Sequence, residues 1–177
     1  MKVKTILRKI VMFFGKTYFS KIKEDAIIPT KRDEDMGLDL YPCFEEDFIL
    51  INPHSVELIP TGIASAFHKR YGYILEERGS TGSKNLKRNA GVYDSGYRNE
   101  WFVILNNAND KPLIITKKYD EVYESLKDDY IVYPYNKAIA QAIKHRSYKN
   151  NSGEISYKEL LSIPSERKLG LLGSSGK

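Results

Sequence analysis

The chain has 177 residues, of which 28 are Lys or Arg, 23 are Asp or Glu, 13 are Tyr and one is Cys. This length favours one domain with a substantial core, and the many tyrosines and β-branched residues favour a β-rich fold. Seven basic and two acidic residues fall within residues 1–25, so the net charge of +5 belongs to that segment. The rest of the chain is neutral and has no basic stripe, so nucleic-acid binding is not expected.

Residues 1–14 mix lysines with apolar side chains, as a signal peptide does. Arg8 and Lys9 interrupt the apolar run and no small-residue cleavage site follows it. We therefore interpret residues 1–17 as a basic extension that folds against the body, although a role at a membrane surface or a partner stays open. No membrane span is expected. Cys43 cannot form an internal disulfide or a metal cluster, which suits a reducing cytoplasm.

From residue 18 onward, short apolar runs alternate with Pro, Gly and Asn-Pro, a pattern that predicts strands. The predicted strands are 18–22, 38–41, 48–51, 56–59, 63–67, 71–75, 101–105, 113–115 and 139–143. Many short strands at this spacing predict an all-β sandwich, barrel or jelly roll.

Three further segments define the predicted domain organisation. The acid- and tyrosine-rich stretch 119–133 predicts a short helix or an enlarged hairpin, within a surface insertion near 117–134. Ser156 and Glu159 have the spacing of a capping box, which predicts a helical turn within 154–161. After Pro164 the chain is rich in Gly and poor in apolar residues. We expect a β domain over 18–163 and a flexible arm over 164–177.

Asp94-Ser95-Gly96 lies between two apolar runs and predicts a hairpin, because Asp and Ser bond their own backbone and Gly accepts a positive φ. The turn would hold Asp94 at a strand end, close to Tyr97. A carboxylate fixed beside an aromatic ring can orient a water while the ring supports a nucleoside. An ordinary hairpin with a solvated aspartate is an equally good reading of the turn alone.

Seven of the twelve glycines lie in the segments 78–82, 91–96 and 170–176. Glycines grouped beside Arg and Ser suit backbone amides that approach phosphate oxygens. The last segment resembles a nucleotide P-loop, but five residues separate Gly170 from Gly176, where the pattern needs four. No Ser, Thr or helix follows Lys177, so a Walker-type site is rejected.

Taken in order, five segments resemble the five motifs of the trimeric dUTP diphosphatase (dUTPase) family, over the chain from about residue 18 to its end. They are Met36-Gly37-Leu38-Asp39-Leu40, residues 78–84, residues 91–100, Lys137-Ala138-Ile139-Ala140-Gln141 and residues 167–176. Each motif is weak alone, and the order of all five makes the signal strong.

The resemblance implies a homotrimer of distorted β jelly rolls in which all three subunits build each active site. It implies hydrolysis of dUTP to dUMP and pyrophosphate, with Mg²⁺ held through the substrate phosphates and waters and not by direct protein ligands. His54, His68 and His145 show no ligand spacing. The basic extension and the insertion are compatible with a phage-encoded member.

The resemblance also assigns roles to individual residues. Asp94 would be the general base that activates the water attacking the α-phosphorus, and Tyr97 would pack against the deoxyribose and exclude a 2′-hydroxyl. Asp39 would support the metal and phosphate region, unless it merely caps a turn. The implied substrate contacts are Arg78, Gly79, Ser80, Thr81, Gly82 and Gln141 for the phosphates, the backbone of Asn89, Gly91 and Val92 for the uracil, and Arg167, Leu172, Gly173, Ser174 and Ser175 in a lid. Two of these residues also have a purely structural interpretation. Arg78 could form a surface ion pair, and Gln141 could bond strand backbone.

Five positions depart from the family pattern, and two of them, Lys168 and Leu171, replace glycines of the arm and would stiffen it. Gly79 follows Arg78 where Ser is usual, so Ser80 would supply the hydroxyl. Asn99 stands where Gly is usual, which would reshape the hairpin. Leu172 stands where an aromatic residue normally covers the uracil, which would weaken affinity or lid closure.

Two other functions compete with dUTP hydrolysis. The dCTP deaminase family resembles this fold but carries a catalytic Glu on the strand after the hairpin, where this chain has Ile104. A regulatory protein that keeps the scaffold would use the basic extension or the insertion for protein contacts, and this role stays open beside catalysis.

Overall fold

Short strands dominate the structure, a computed structural model that describes residues 15–166 and residue 169. The described chain forms two units, one that ends at Ser147 and one that begins at Tyr148. The domain boundary predicted near residue 163 stays a prediction. Most of the N-terminal extension and most of the fifth motif, including Arg167, Leu172, Gly173, Ser174 and Ser175, lie outside the described residues.

The described part of the first unit, residues 15–147, contains twelve strands and two short helices. The strands are β1 (Tyr18–Lys21), β2 (Gly37–Leu40), β3 (Phe48–Ile51), β4 (Ser55–Pro60), β5 (Ile63–Ala66), β6 (Tyr71–Glu76), β7 (Leu86–Arg88), β8 (Val92–Tyr93), β9 (Phe102–Asn107), β10 (Leu113–Thr116), β11 (Ile131–Pro134) and β12 (Ala140–Arg146); the helices are α1 (Gly79–Gly82) and α2 (Tyr119–Leu126). Every predicted strand overlaps one of these, and the all-β prediction is confirmed.

The strands form four small sheets, in the orders β1-β5, β11-β10-β3, β2-β12-β6-β8 and β4-β9-β7. Strand β9 alternates between partly exposed and buried residues, because successive side chains point to opposite faces of a strand. Trp101, which is fully buried, stacks on Tyr93 with ring centroids 4.2 Å apart. Phe19 and Tyr73 meet the same indole edge-on at 5.6 and 5.4 Å. This aromatic cluster fixes both ends of the segment that carries Asp94.

The insertion is helical, so of the two predicted forms the helix is confirmed and the enlarged hairpin is wrong. Helix α2 returns the chain to the start of β10, so β11 pairs with β10 in parallel, with Leu113 opposite Ile131. A hairpin of any length would have given an antiparallel pair. Lys117 anchors the base of the insertion, since its Nζ donates to the carbonyl of Glu45 at 2.9 Å and lies over the ring of Tyr135.

The second unit contains helix α3 (Tyr157–Ser162). The predicted capping box is present, because the Ser156 amide donates to Glu159 Oε2 at 2.8 Å and the Glu159 amide donates to Ser156 Oγ at 3.2 Å. No helix in the described part of the chain has the length and apolar character that crossing a bilayer would require.

Candidate active site

Asp94 lies in a tight turn directly after β8. The Tyr97 amide donates to the Asp94 carbonyl at 3.0 Å and closes this turn. Among the described strands, β8 pairs with β6 alone, whereas β9 pairs with β4 and β7. The predicted hairpin is therefore wrong, and the turn joins two different sheets. The positive φ expected at Gly96 is also wrong. A turn of type I closes the same hydrogen bond with negative φ at both central residues.

Side chains around the turn hold it in place. The Tyr97 hydroxyl donates to the Glu100 carbonyl at 2.8 Å, and Arg98 Nη1 donates to the Ser95 carbonyl at 2.5 Å. Asn99 adopts no positive φ and accepts a hydrogen bond from the Glu100 amide, so Asn replaces the usual Gly here without strain. The exposed Asp94 carboxylate has no hydrogen-bond partner among the described residues, which leaves its oxygens free for water or a ligand.

A cavity of about 570 Å³, the turn pocket, opens beside Asp94 and Tyr97. Its walls are mainly apolar side chains from β4, β8 and β9. The lining residues are Leu58, Arg88, Ala90, Gly91, Val92, Tyr93, Asp94, Tyr97, Phe102 and Ile104. An apolar pocket with a few polar groups is the usual form of a small-molecule site.

Strand β8 presents backbone groups to this pocket because it is the edge of its sheet. The Leu75 amide donates to the Gly91 carbonyl at 2.7 Å, and a Cβ at Gly91 would lie 2.6 Å from the Leu75 Cβ. Bonded and non-bonded residues alternate in an antiparallel pair, so the amide and carbonyl of Val92 point away from β6. The Asn89 amide donates to the Ile104 carbonyl, so it is not free to donate to a ligand.

Motifs one, two and four meet at a second cavity of about 310 Å³, the arginine pocket. Its lining residues are Arg32, Asp35, Met36, Gly37, Asp39, Arg78, Gly79, Ser80 and Gln141. Arg78 and Asp39 form a two-point ion pair, with Nε to Oδ1 at 2.9 Å and Nη2 to Oδ2 at 3.1 Å. Both side chains are about one-third exposed, at 32% and 30%, so the guanidinium is oriented yet reachable from solvent.

Gln141 is fixed between neighbouring strands of the same pocket. It lies opposite Asp39 in the β2–β12 register, and its Nε2 donates to the Glu77 carbonyl at 2.8 Å. A Cβ at Gly37 would lie 2.7 Å from Gln141 Oε1, so only Gly leaves room for this side chain. The side chain thus bonds backbone, as the structural alternative predicted, and still faces the pocket.

The charged loop before β2 adds a pair that we did not predict. Arg32 donates through Nε and Nη2 to the two carboxylate oxygens of Asp35, both at 2.9 Å. These bonds hold the pKa of Asp35 below its usual value, and this loop forms one side of the arginine pocket. The run of charged residues at 31–35 was the sequence feature that could have indicated this ion pair.

A dUTPase family model matches residues 23–121, which is more than half of the chain. This chain belongs to the dUTPase family. The deoxyuridine 5′-triphosphate nucleotidohydrolase of Leptospira interrogans is 28% identical over 104 residues, which cover 56% of this chain and 71% of that protein. The protein of the same name from Hydrogenobaculum is 34% identical over 106 residues, covering 58% and 72%.

Solved structures show the same fold. A mutant dUTPase of Staphylococcus bacteriophage 80alpha, with dUpNHpp, has a TM-score of 0.71 at 16% identity and covers 92% of this chain and 99% of its own. The dUTPase from phage phi11 of S. aureus, described for its species-specific insert, has a TM-score of 0.62 at 16% identity and covers 79% and 96%. The distorted jelly roll expected of a dUTPase is therefore confirmed.

Two residues of the second dUTPase motif shape the backbone beside the arginine pocket and are not part of its lining. Thr81 is buried and its Oγ1 accepts from the Arg78 amide at 3.0 Å, while the Gly82 amide donates to the Arg78 carbonyl at 2.8 Å. These bonds shape α1, and neither residue lines the cavity. Ser80 is exposed and lines it, which makes a hydroxyl available where Gly79 replaces the family's usual Ser.

The dUTPase motifs of one chain are divided between two cavities. Among the described residues, none lines both the turn pocket and the arginine pocket. Strands β2 and β8, which carry the first and third motifs, form opposite edges of one sheet. Asp94 and Arg78 of the same chain therefore belong to different cavities.

Proposed function

We propose that this chain hydrolyses dUTP to dUMP and pyrophosphate. The observation that carries the proposal is the turn pocket, which joins a free carboxylate, Asp94, to an aromatic ring, Tyr97, and to the unpaired backbone of an edge strand. Membership of the dUTPase family and relatives named as dUTP nucleotidohydrolases support it.

Asp94 acts as the general base. Its free oxygens accept a proton from a water, and that water attacks the α-phosphorus. The bond between the α-phosphorus and the bridging oxygen to the β-phosphate breaks, and pyrophosphate leaves. Tyr97, with its hydroxyl tied to the Glu100 carbonyl, packs its ring against the deoxyribose and leaves no space for a 2′-hydroxyl.

The arginine pocket receives the phosphates. Arg78 offers a charged, two-pronged donor that suits phosphate oxygens, and Asp39 fixes its orientation. Gly79, Ser80 and Gln141 line the same cavity. In the reaction these groups stabilise the negative charge on the oxygens of the leaving pyrophosphate.

The site becomes complete between copies of this chain in a homotrimer. Because no described residue lines both pockets, the turn pocket of one copy would meet the arginine pocket of another. Val92 and Leu58, which line the turn pocket, are 71% and 54% exposed, and a neighbouring copy would cover them. The arm of the third copy, with Arg167, Leu172, Gly173, Ser174 and Ser175, would close over the triphosphate.

Mg²⁺ is the proposed cofactor, and a phage phi11 dUTPase structure is described with a structural Mg(II) ion. Among the described residues, no three His, Cys, Asp or Glu side chains lie close enough together to hold a metal. Mg²⁺ often binds substrate phosphates and waters with one or two carboxylates, and Asp39 suits that supporting part. When bound, the ion neutralises part of the triphosphate charge. The single cysteine of the protein, Cys43, is a buried free thiol. Because free thiols suit a reducing compartment, we assign the protein to the cytoplasm.

Deamination of dCTP is disfavoured by the same pocket. Ile104, at the position where the deaminase family carries its catalytic Glu, lines the turn pocket with an aliphatic side chain. Asp94 is the only carboxylate among the described lining residues. No other described lining residue could serve as a second acid that transfers protons. A regulatory role through the insertion stays a prediction.

Pyrophosphate release from dUTP, dCTP, dTTP and UTP in the presence of Mg²⁺ tests the proposal. We expect release mainly from dUTP, and a loss of kcat by at least about 100-fold in Asp94→Asn, which keeps the shape of the side chain but cannot accept the proton. The matched control is Asp110→Asn, at an exposed aspartate that bonds His54. Equal turnover in Asp94→Asn and wild type would refute the assignment of the base.

A further inference from the structure

The turn pocket contains one cation that no dUTPase motif includes. Arg88, on β7, lines this pocket and is the only positively charged residue among its described lining residues. Arg88 lies between the second and third dUTPase motifs, so the resemblance to the family assigns it no role. Its neighbours in the wall are apolar, namely Phe102 and Ile104.

Arg88 is held in place from the side of β6. Its Nη2 donates to Glu76 Oε2 at 2.9 Å, and its backbone amide donates to Glu77 Oε1 at 3.0 Å. The side chains of Arg88 and Glu76 are 27% and 38% exposed, so the pair is partly shielded from water. A guanidinium fixed in this way loses little conformational freedom when it binds a ligand.

The fixed guanidinium still has donors to offer. Arginine carries five N–H donors, and the described residues supply an acceptor for Nη2 alone. Nε is buried and has no acceptor among the described residues. A buried donor without an acceptor costs free energy, which a ligand recovers only where its acceptor bonds Nε itself. The other N–H groups of the guanidinium, on Nη1 and Nη2, are also donors for a ligand.

We propose that Arg88 is a specificity-determining residue that donates to the 4-carbonyl of uracil; this inference rests on the proposed function. Ala90, which precedes the edge strand β8, and Val92, within it, line the same pocket. Their backbone would hold the base edge beside Arg88. Uracil has an acceptor at position 4, whereas cytosine has an amino donor there. A guanidinium N–H therefore attracts uracil and meets cytosine donor to donor.

A phosphate is the other acceptor that a guanidinium could meet. The phosphate role is already filled by Arg78, whose pocket is polar and shares no residue with the turn pocket. The apolar walls formed by Phe102 and Ile104 suit the faces of a base and not a solvated anion. The surroundings of Arg88 thus favour a base carbonyl.

Calorimetric titration with dUMP and dCMP, together with kcat/KM for dUTP and dCTP, tests the inference on the intact oligomer. We expect Arg88→Ala to weaken dUMP binding by about 10- to 100-fold and to narrow the preference for dUMP over dCMP by at least about 10-fold. The value of kcat should change much less than KM, because Arg88 touches the base and not the reacting phosphorus. Lys87→Ala is the matched control, since it removes an exposed cation from the same strand outside the pocket.

Arg88→Lys provides the second variant if Arg88→Ala does not fold. It keeps a positive charge for Glu76 but lacks the planar fork, so the preference for dUMP should still narrow. An unchanged preference for dUMP over dCMP in either folded variant would overturn the inference. If the wild type released no pyrophosphate from dUTP, the proposed function would fail, and the binding preference would still decide the role of Arg88.

Discussion

At the level of single residues, Asp94 owes its position to the aromatic side chains that flank it. Tyr93 precedes it, stacks on the buried Trp101, and donates its hydroxyl to the Phe102 carbonyl. Tyr97 follows it and lies 5.7 Å from the Tyr93 ring. A carboxylate with free oxygens is thus carried by a backbone that Tyr93 anchors in the core and that the Tyr97 hydroxyl ties to the Glu100 carbonyl. This suits a base that must meet its water in one geometry.

The burial of Tyr93 makes a prediction about alkaline pH. Desolvation raises the pKa of Tyr93 to about 12, above the value of about 10 for an exposed tyrosine. The folded state favours the neutral phenol, so its contribution is complete below about pH 10 and is lost as the pH rises through about 12. Because Phe cannot ionise, Tyr93→Phe should reduce the loss of stability above pH 10, by at most about 2–3 kcal/mol. Urea unfolding between pH 8 and 11.5 measures this, and an unchanged alkaline slope would contradict it.

At the level of elements, β8 is the smallest strand and the one that most directly exposes backbone to the turn pocket. Its place on β6 depends on Gly91, whose missing side chain lets Leu75 approach. Gly96, five residues later, has open space where a Cβ would lie. The two glycines therefore form a matched pair within one motif.

Gly91→Ala should destabilise the fold, whereas Gly96→Ala should leave it nearly unchanged. The Cβ at residue 91 overlaps the Leu75 Cβ, so β8 must move from β6, at an expected cost of about 1–3 kcal/mol. Thermal or urea unfolding of both variants measures the difference. Equal stability of the two variants would show that β8 does not need the close contact with Leu75.

The sequence predicted those elements whose signal is local. Apolar runs between turn residues predicted nine strands, and the Ser156 and Glu159 spacing predicted the start of α3. Strands β7 and β8 have three and two residues, too few for a periodic pattern, and they exist because β9 and β6 offer partners. The parallel pairing of β11 is set by the return of α2, which no local pattern records.

The site shows the same difference between features with a local sequence signal and features that depend on distant contacts. The order of the motifs pointed to Asp94, Tyr97, Asp39, Arg78 and Gln141, and the structure groups them into two cavities, although their roles stay predictions. The ion pair of Asp39 with Arg78 and the position of Arg88 depend on contacts between distant strands. Spacing along the chain carries no record of such contacts.

At the level of the whole molecule, we propose that one chain carries two halves of different active sites. Asp94 lines the turn pocket and Arg78 lines the arginine pocket, and no described residue belongs to both. Two copies would bring Asp94 of one chain to Arg78 of the next. A protein of this kind can be inactivated at either half separately.

Mixing two inactive variants tests this claim most directly. Asp94→Asn and Arg78→Ala would each abolish most pyrophosphate release from dUTP when assembled alone. If each site takes Asp94 and Arg78 from different copies, trimers assembled at random from equal amounts have an intact combination in about one quarter of their sites. Co-assembly should therefore restore about one quarter of wild-type pyrophosphate release, and a mixture no more active than its two components would contradict the shared site.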